Sequence, residues 1–306
     1  MAEQYKMQKQ NHDQEWIVAY YDLLGIKAEM RKWTAPDGTI NKLDIFRQKI
    51  KDLVNGINQS IQKRNQNEPN LQKTRECELV TFGFADTMVV ASRIVNRYDN
   101  PQLMALSMML RGMIPLAAWL LNEGILFRAG VEVGKARLIK RVSDYFPKNA
   151  GAAAPAGSSD TRVFEGDLCG PAYIAAHDLA SLPGSPPGVY VGSAAVSLIE
   201  EAASGQGRFE GAWISNAQQA RKSLMRLDSK NKYRQSESGD IWAVDFANLN
   251  GIMGVNRNDP RYAETCRLLK TGYEWILSEL KPGGQTDEKI RNKLLWVKEY
   301  LEGRNI

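Results

Sequence analysis

The run EWIVAYY (15–21) is apolar almost throughout and rich in β-branched and aromatic side chains, which predicts a buried strand stopping at Asp22. DLLGIKAEM then turns through Gly25 into helical sequence. Between residues 40 and 64, Leu43, Phe46, Ile50, Leu53, Ile57 and Ile61 recur at helical spacing and predict an amphipathic helix. ELVTFGFADTMVVAS (78–92) reads as two apolar strands around a tight Ala85-Asp86 connection, a β-hairpin with Asp86 at its tip. A second long helix is expected over 101–123, bent by Pro115. GILFRAGVEVG (124–134) is the next strand, leading into a further hairpin through ARLIKRV (136–142).

Beyond this point the pattern weakens. KNAGAAAPAGSSD (148–160) has linker composition, and RVFEGD (162–167) returns to extended structure. LCGPAYIAAHDLASL (168–182) reads as a helix ending before Pro183, GVYVGS (188–193) as a strand, and the residues through Ile199 as a short helix. Residues 203–240 are polar and irregular in pattern, followed by a strand at IWAVDFANL (241–249) and helices over 260–281 and 286–303. The expected organisation is a flexible tail (1–14), a core over 15–202, and a C-terminal extension of the same domain over 203–306. Strand, helix, hairpin, helix, strand predicts an α/β (α+β), ferredoxin-like mixed sheet with helices packed on it. No GxGxxG or GxxxxGK[ST] pattern occurs, so neither a dinucleotide fold nor a P-loop is supported.

Composition narrows the chemistry. Forty basic residues scattered among 35 acidic ones give a net charge of +5 without a basic arm, which favours a small polyanion over nucleic acid. The three cysteines lie far apart, and two histidines cannot build a multi-histidine metal site. The N-terminal run is too polar for a signal peptide, and the apolar stretch 112–121 is too short to span a bilayer; a cytoplasmic protein is expected, without a membrane partner.

Asp22 and Asp86 each interrupt an apolar run, where an uncompensated carboxylate costs several kcal/mol. Singly, each would read as a turn cap. Together, one at a strand end and one at a hairpin tip, they can meet at one sheet edge, where Mg²⁺ or Mn²⁺ would relieve their repulsion.

VAYYDLLGIK around Asp22 and FGFADTMVV around Asp86 resemble the two metal-binding segments of class III nucleotide cyclases. FRAGVEVGKA (127–136) and GDLCGPAYIAAHDLAS (166–181) resemble that family's next two blocks, in the same order. Within the family the resemblance is to the pyrimidine cyclases of bacterial Pycsar anti-phage defence. It implies two Mn²⁺ or Mg²⁺ ions held by Asp22, Asp86 and the Leu23 carbonyl, activating the ribose 3′-hydroxyl and neutralising departing pyrophosphate. Backbone N–H groups of Leu24, Gly25 and Ile26 would cradle phosphate oxygens. A homodimer with shared sites is also implied.

Departures from the family bear on substrate and mechanism. The adenine-selecting lysine position, four before Asp86, is Phe82, which cannot hydrogen-bond a purine edge and shrinks the pocket. The second base-selecting position falls on Gly166. These favour a pyrimidine, with UTP giving cyclic UMP as the leading expectation and CTP giving cyclic CMP as the alternative. The asparagine and arginine that stabilise developing charge in the family align with Tyr173 and His177, and Arg128 is a competing cation. Lys135 and Arg137 read as solvated strand charges, with contact to phosphate as the alternative. These replacements leave open a third reading, a cyclase-like module that binds nucleotide without turnover.

Overall fold

A computed structural model of the chain describes residues 14–25, 36–67, 79–84, 86–94, 101–140, 166–182, 187–205, 211–227, 241–247, 258–282 and 288–304. The expected tail and the 148–160 segment lie outside the described residues.

Strand β1 (Glu15–Leu23) is followed by helix α1 (Pro36–Asn67), the hairpin β2 (Val80–Phe84) and β3 (Thr87–Ile94), helix α2 (Pro101–Asn122) and β4 (Phe127–Lys135). Their order in the sheet is β2-β3-β1-β4, every neighbour antiparallel, which is the ferredoxin-like arrangement. The chain continues through β5 (Arg137–Lys140), β6 (Gly166–Cys169), α3 (Pro171–Ala180), β7 (Gly188–Val191), α4 (Ser193–Ala203) and α5 (Gly211–Lys222). It ends in β8 (Leu224–Leu227), β9 (Ile241–Val244), α6 (Pro260–Glu279) and α7 (Glu288–Glu302). β7 joins β4 in parallel, and β9 and β8 extend the sheet antiparallel to seven strands, so the sheet is mixed.

β1 is apolar along its length because both faces are covered. Ile17, Ala19, Tyr21 and Leu23 point into the main core beneath α1, α2 and α4, while Trp16, Val18 and Tyr20 point into a second cluster with Ala172 and Ala176 of α3. Tyr21 is fully buried and satisfies its hydroxyl on Met113 Sδ at 3.4 Å. α2 packs on α1, α5 and α6, which accounts for its apolar circumference. Its apolar window, Ala105–Asn122, is longer than the pattern suggested and long enough to cross a bilayer, but 67% of it is buried inside the protein, as for a core helix. Pro115 lies within this helix.

Three expectations are corrected. Residues 203–240 contain α5 and β8; among the described side chains of α5 the fully buried ones are Ala217 and Ala220, too small to raise an apolar pattern. ARLIKRV does not close a hairpin onto β4. Its strand β5 pairs with β6 in a separate two-stranded sheet. Leu168 and Cys169 are therefore extended, and α3 begins only after Gly170, whose φ of 128° suits glycine.

Candidate active site

Alternation along β1 sets what Asp22 faces: it shares a side with Tyr20, toward α3. In register, Asp22 lies opposite Thr87 on β3 and Arg128 on β4. Asp86, in the β2–β3 turn, is 6% exposed, and its carbonyl accepts the Leu23 N–H at 3.0 Å. The two aspartates are thus neighbours across adjacent segments at one end of the sheet. Arg128 Nη2 donates to Asp22 Oδ2 at 3.3 Å, both side chains being largely buried, and Arg128 Nη1 reaches the Leu182 carbonyl at 3.4 Å. The guanidinium therefore links the aspartate to the segment that follows α3.

α3 sits very close to the sheet because glycine lets it. A Cβ on Gly130 would fall 2.0 Å from the Ala176 carbonyl oxygen. Ala172, Ala176 and Ala180 form the buried stripe of α3. This docking carries Tyr173 and His177 to Tyr20, whose ring they meet edge-on at centroid distances of 6.0 and 5.0 Å. His177 also lies 3.2 Å from Asp178 Oδ1 through Nδ1 and 3.4 Å from Ser181 Oγ through Nε2.

Phe82 is 4% exposed and packs in the same cluster as Trp16, Val18, Tyr20 and Val89. Its ring fills this volume and carries neither donor nor acceptor. Of the three amides expected to cradle phosphate, that of Leu24 is already given to the Leu126 carbonyl at 2.9 Å, which removes it from that role. Gly25 turns the chain with φ 89°, and Ile26 lies outside the described residues.

Two polar residues of β1 and β4, Tyr20 beside the aspartates and Glu132 away from them, were not singled out from sequence. Tyr20 was signalled only by its period-two relation to Asp22. Burial pushes its phenol up; a hydrogen bond with Thr87 opposes this, and the nearby Tyr173, Asp22 and Asp86 add to the rise. Glu132 was signalled by a charge inside GVEVG. Its carboxylate accepts the N–H groups of Val133 at 2.9 Å and Ala195 at 3.2 Å, capping α4 from β4, with Gly192 leaving the space it occupies. Burial raises its carboxyl despite those amides.

Among the described residues no three His, Cys, Asp or Glu side chains gather into a metal cage. Asp22 and Asp86, among the described residues, bring carboxylate oxygens to this end of the sheet. That donor set fits Mg²⁺ or Mn²⁺ completed by phosphate oxygens and water, and does not fit a structural zinc.

No family model matches the chain, and a search of curated proteins finds no match. Among solved structures it is similar to the guanylyl cyclase Cya2, at 11% identity over 77% of this chain and 93% of that one, with a TM-score of 0.44. It is also similar to a bacterial light-regulated adenylyl cyclase, at 12% identity over 85% and 99% of the two chains, with a TM-score of 0.41. A third is the guanylate cyclase domain of RhGC from Catenaria anguillulae in complex with GTP, at 12% identity over 76% and 96%, with a TM-score of 0.37.

Proposed function

We propose that the chain is a nucleotide cyclase that converts a pyrimidine nucleoside triphosphate, UTP in the first instance, to its 3′,5′-cyclic monophosphate and pyrophosphate. The observation that carries this reading is the juxtaposition of Asp22 and Asp86, with the Leu23 amide bonded to the Asp86 carbonyl between them. Asp22, Asp86 and the Leu23 carbonyl would hold the divalent ions. Once bound, Mn²⁺ or Mg²⁺ supplies Lewis acidity toward the 3′-hydroxyl and charge neutralisation for the leaving pyrophosphate. Gly25, whose φ is 89°, would turn the backbone around the phosphates. Arg128, which donates to Asp22 and to the Leu182 carbonyl, would balance charge at the α-phosphate. Tyr173 offers a hydroxyl donor, and His177 a second donor held by Asp178 and Ser181. The bond-making demands little more of the protein than position and charge.

Pyrimidine preference rests on Phe82, which fills the position where a purine-selecting donor would stand. The similar solved structures named above are adenylyl and guanylyl cyclases. UTP over CTP, a homodimer with shared sites, and a second-messenger role in anti-phage defence rest on the sequence resemblance alone.

One observation favours a second reading. Asp22 already has a cation beside it in Arg128, so the pair could be a structural salt bridge in a module that binds nucleotide without turning it over. Incubating the purified protein with each of the four ribonucleoside triphosphates and Mn²⁺ or Mg²⁺, then resolving the products by chromatography, separates the readings. Cyclic UMP or cyclic CMP is expected. Predominant cyclic AMP or cyclic GMP would refute the pyrimidine preference, and nucleotide binding without any cyclic product would establish the inert module.

A further inference from the structure

The C-terminal helices α6 and α7 have no assigned part in the chemistry, yet they reach the turn that follows Asp22. α6 is seated tightly on the end of α2: a Cβ on Gly272 would fall 2.8 Å from Leu121 Cβ. In the turn after α2, a Cβ on Gly124 would fall 3.0 Å from the Trp275 ring. α7 is tied back to α6 by Arg291 Nη2, which donates to the Leu280 carbonyl at 3.2 Å, and it buries Leu294, Val297 and Leu301 in the main core. Its far end is held at β9 by Tyr300 and Arg304, both bonded to Asp245. This seat brings Ile290, in the first turn of α7, to Gly25. A Cβ on Gly25 would meet Ile290 Cδ1 at 3.4 Å, the only described atom within 4 Å outside the glycine's chain neighbours. Gly25 is also where the chain leaves the sheet. β1 pairs with β4 as far as Leu23, and the Leu24 N–H bonds the Leu126 carbonyl, but Gly25 turns away with φ 89°.

We propose that Ile290 is a positioning residue for the nucleotide: α7 backs the Gly25 turn where backbone pairing has ended, and holds it in the shape that receives the β- and γ-phosphates. The inference rests on the reading of that turn as the phosphate turn of a nucleotide site. A glycine at positive φ has no side chain to fix it and can move to many other conformations unless something packs against it. A turn already held in its binding shape avoids the ordering cost at the moment of binding. The brace is stiff because α7 is anchored at both ends, by Arg291 near one and by Tyr300 and Arg304 at the other. A methyl group offers a polyanion no hydrogen bond, so Ile290 acts through the turn and not as a ligand contact.

The test compares the full chain as wild type, Ile290→Ala, Ile290→Val, which removes only the contacting Cδ1 methyl, and Val297→Ala. Val297 is fully buried on the same helix and serves as the control for lost packing alone. Binding of α,β-methylene-UTP, whose bridge between the α- and β-phosphorus atoms cannot be cleaved, is measured by isothermal titration calorimetry with Mn²⁺ present. UMP is measured by displacement of that analogue, and urea denaturation of each protein accompanies the titrations. The expected result is an affinity for the analogue about three- to tenfold weaker in Ile290→Ala, a smaller loss in Ile290→Val, and unchanged UMP affinity in both. Val297→Ala is expected to lose at least as much stability and to bind the analogue as the wild type does. Wild-type affinity for the analogue in both Ile290 variants, an equal loss for UMP, or an equal loss in Val297→Ala would overturn the proposal and leave the nucleotide reading standing. A wild type that binds no analogue would overturn both.

Discussion

Replacing Gly130 by alanine asks β4 to carry a methyl group where α3 already lies. The new Cβ would stand 2.0 Å from the Ala176 carbonyl oxygen and 2.8 Å from Leu179 Cβ. Ordinary contact between such atoms begins at about 3.5 Å, so α3 must lift by roughly 1 Å or more. The obstructing oxygen belongs to helix backbone, which cannot rotate away as a side chain would. Overpacking of this kind costs about 1–3 kcal/mol. The same lift withdraws Tyr173 and His177 from Tyr20, and a displacement of about 1 Å at positioned groups costs on the order of 10²-fold in rate. Gly134 is the control, on the same face of β4, where an added Cβ meets Ala172 at ordinary contact distances, 3.6 Å from its Cβ and 4.0 Å from its Cα. Gly134→Ala is expected to be neutral, or stabilising by about 0.4–1 kcal/mol through a less flexible unfolded chain. Urea denaturation followed by tryptophan fluorescence, with turnover measured on the same preparations, distinguishes the two. Gly130→Ala matching Gly134→Ala in midpoint and rate would refute the close seating of α3 on the sheet.

Two further outcomes follow from buried polar groups away from the aspartates. In the folded chain the Glu132 carboxyl is raised by burial, so its contribution favours folding below the ordinary glutamate range and is lost as pH rises through the raised value. Glu132→Gln keeps an acceptor for the α4 amides and should flatten stability against pH between about 4 and 7; an unchanged slope would contradict the assignment. Tyr300 donates to Asp245, accepts the Ala247 N–H at 3.0 Å, and shares Asp245 with Arg304, pinning α7 to the end of β9. Tyr300→Phe leaves a buried carboxylate oxygen and an amide short of a partner and should cost about 1–3 kcal/mol in urea denaturation, with a loss below about 0.5 kcal/mol refuting the latch.

The first half of the fold was legible because each element carries an unambiguous period. β1 is apolar on both faces since it lies between two helical layers, and α1 places Leu43, Phe46 and Ile50 on its buried side. The second half was less legible because small residues do the packing. α5 buries Ala217 and Ala220, and β8 is four residues long at the outer position of the sheet, so neither raises a hydrophobic pattern. The boundary of α3 was misplaced because LCG continues an apolar run, while the positive φ of Gly170 that ends β6 leaves no mark on hydrophobicity. In the site, Asp22, Asp86 and Arg128 stood out as charges in apolar strands. The Leu24 amide was assigned to phosphate because nothing in the sequence shows that it bonds the Leu126 carbonyl, a residue about a hundred positions away. Tyr20 was overlooked because a tyrosine in an aromatic strand looks like core until Tyr173 and His177 are seen against its ring.

The central claim is that Asp22 and Asp86 together hold the ions that act on the nucleotide. It is tested most directly by incubating wild type, Asp22→Asn and Asp86→Asn with UTP and Mn²⁺ and following cyclic product and pyrophosphate together. Asparagine at position 22 retains an acceptor for Arg128, so a loss of activity there reports the missing charge rather than a broken contact. The account predicts stoichiometric cyclic UMP and pyrophosphate from the wild type and a fall of at least 10²-fold in both variants, each still unfolding cooperatively. Wild-type turnover in either variant would contradict it.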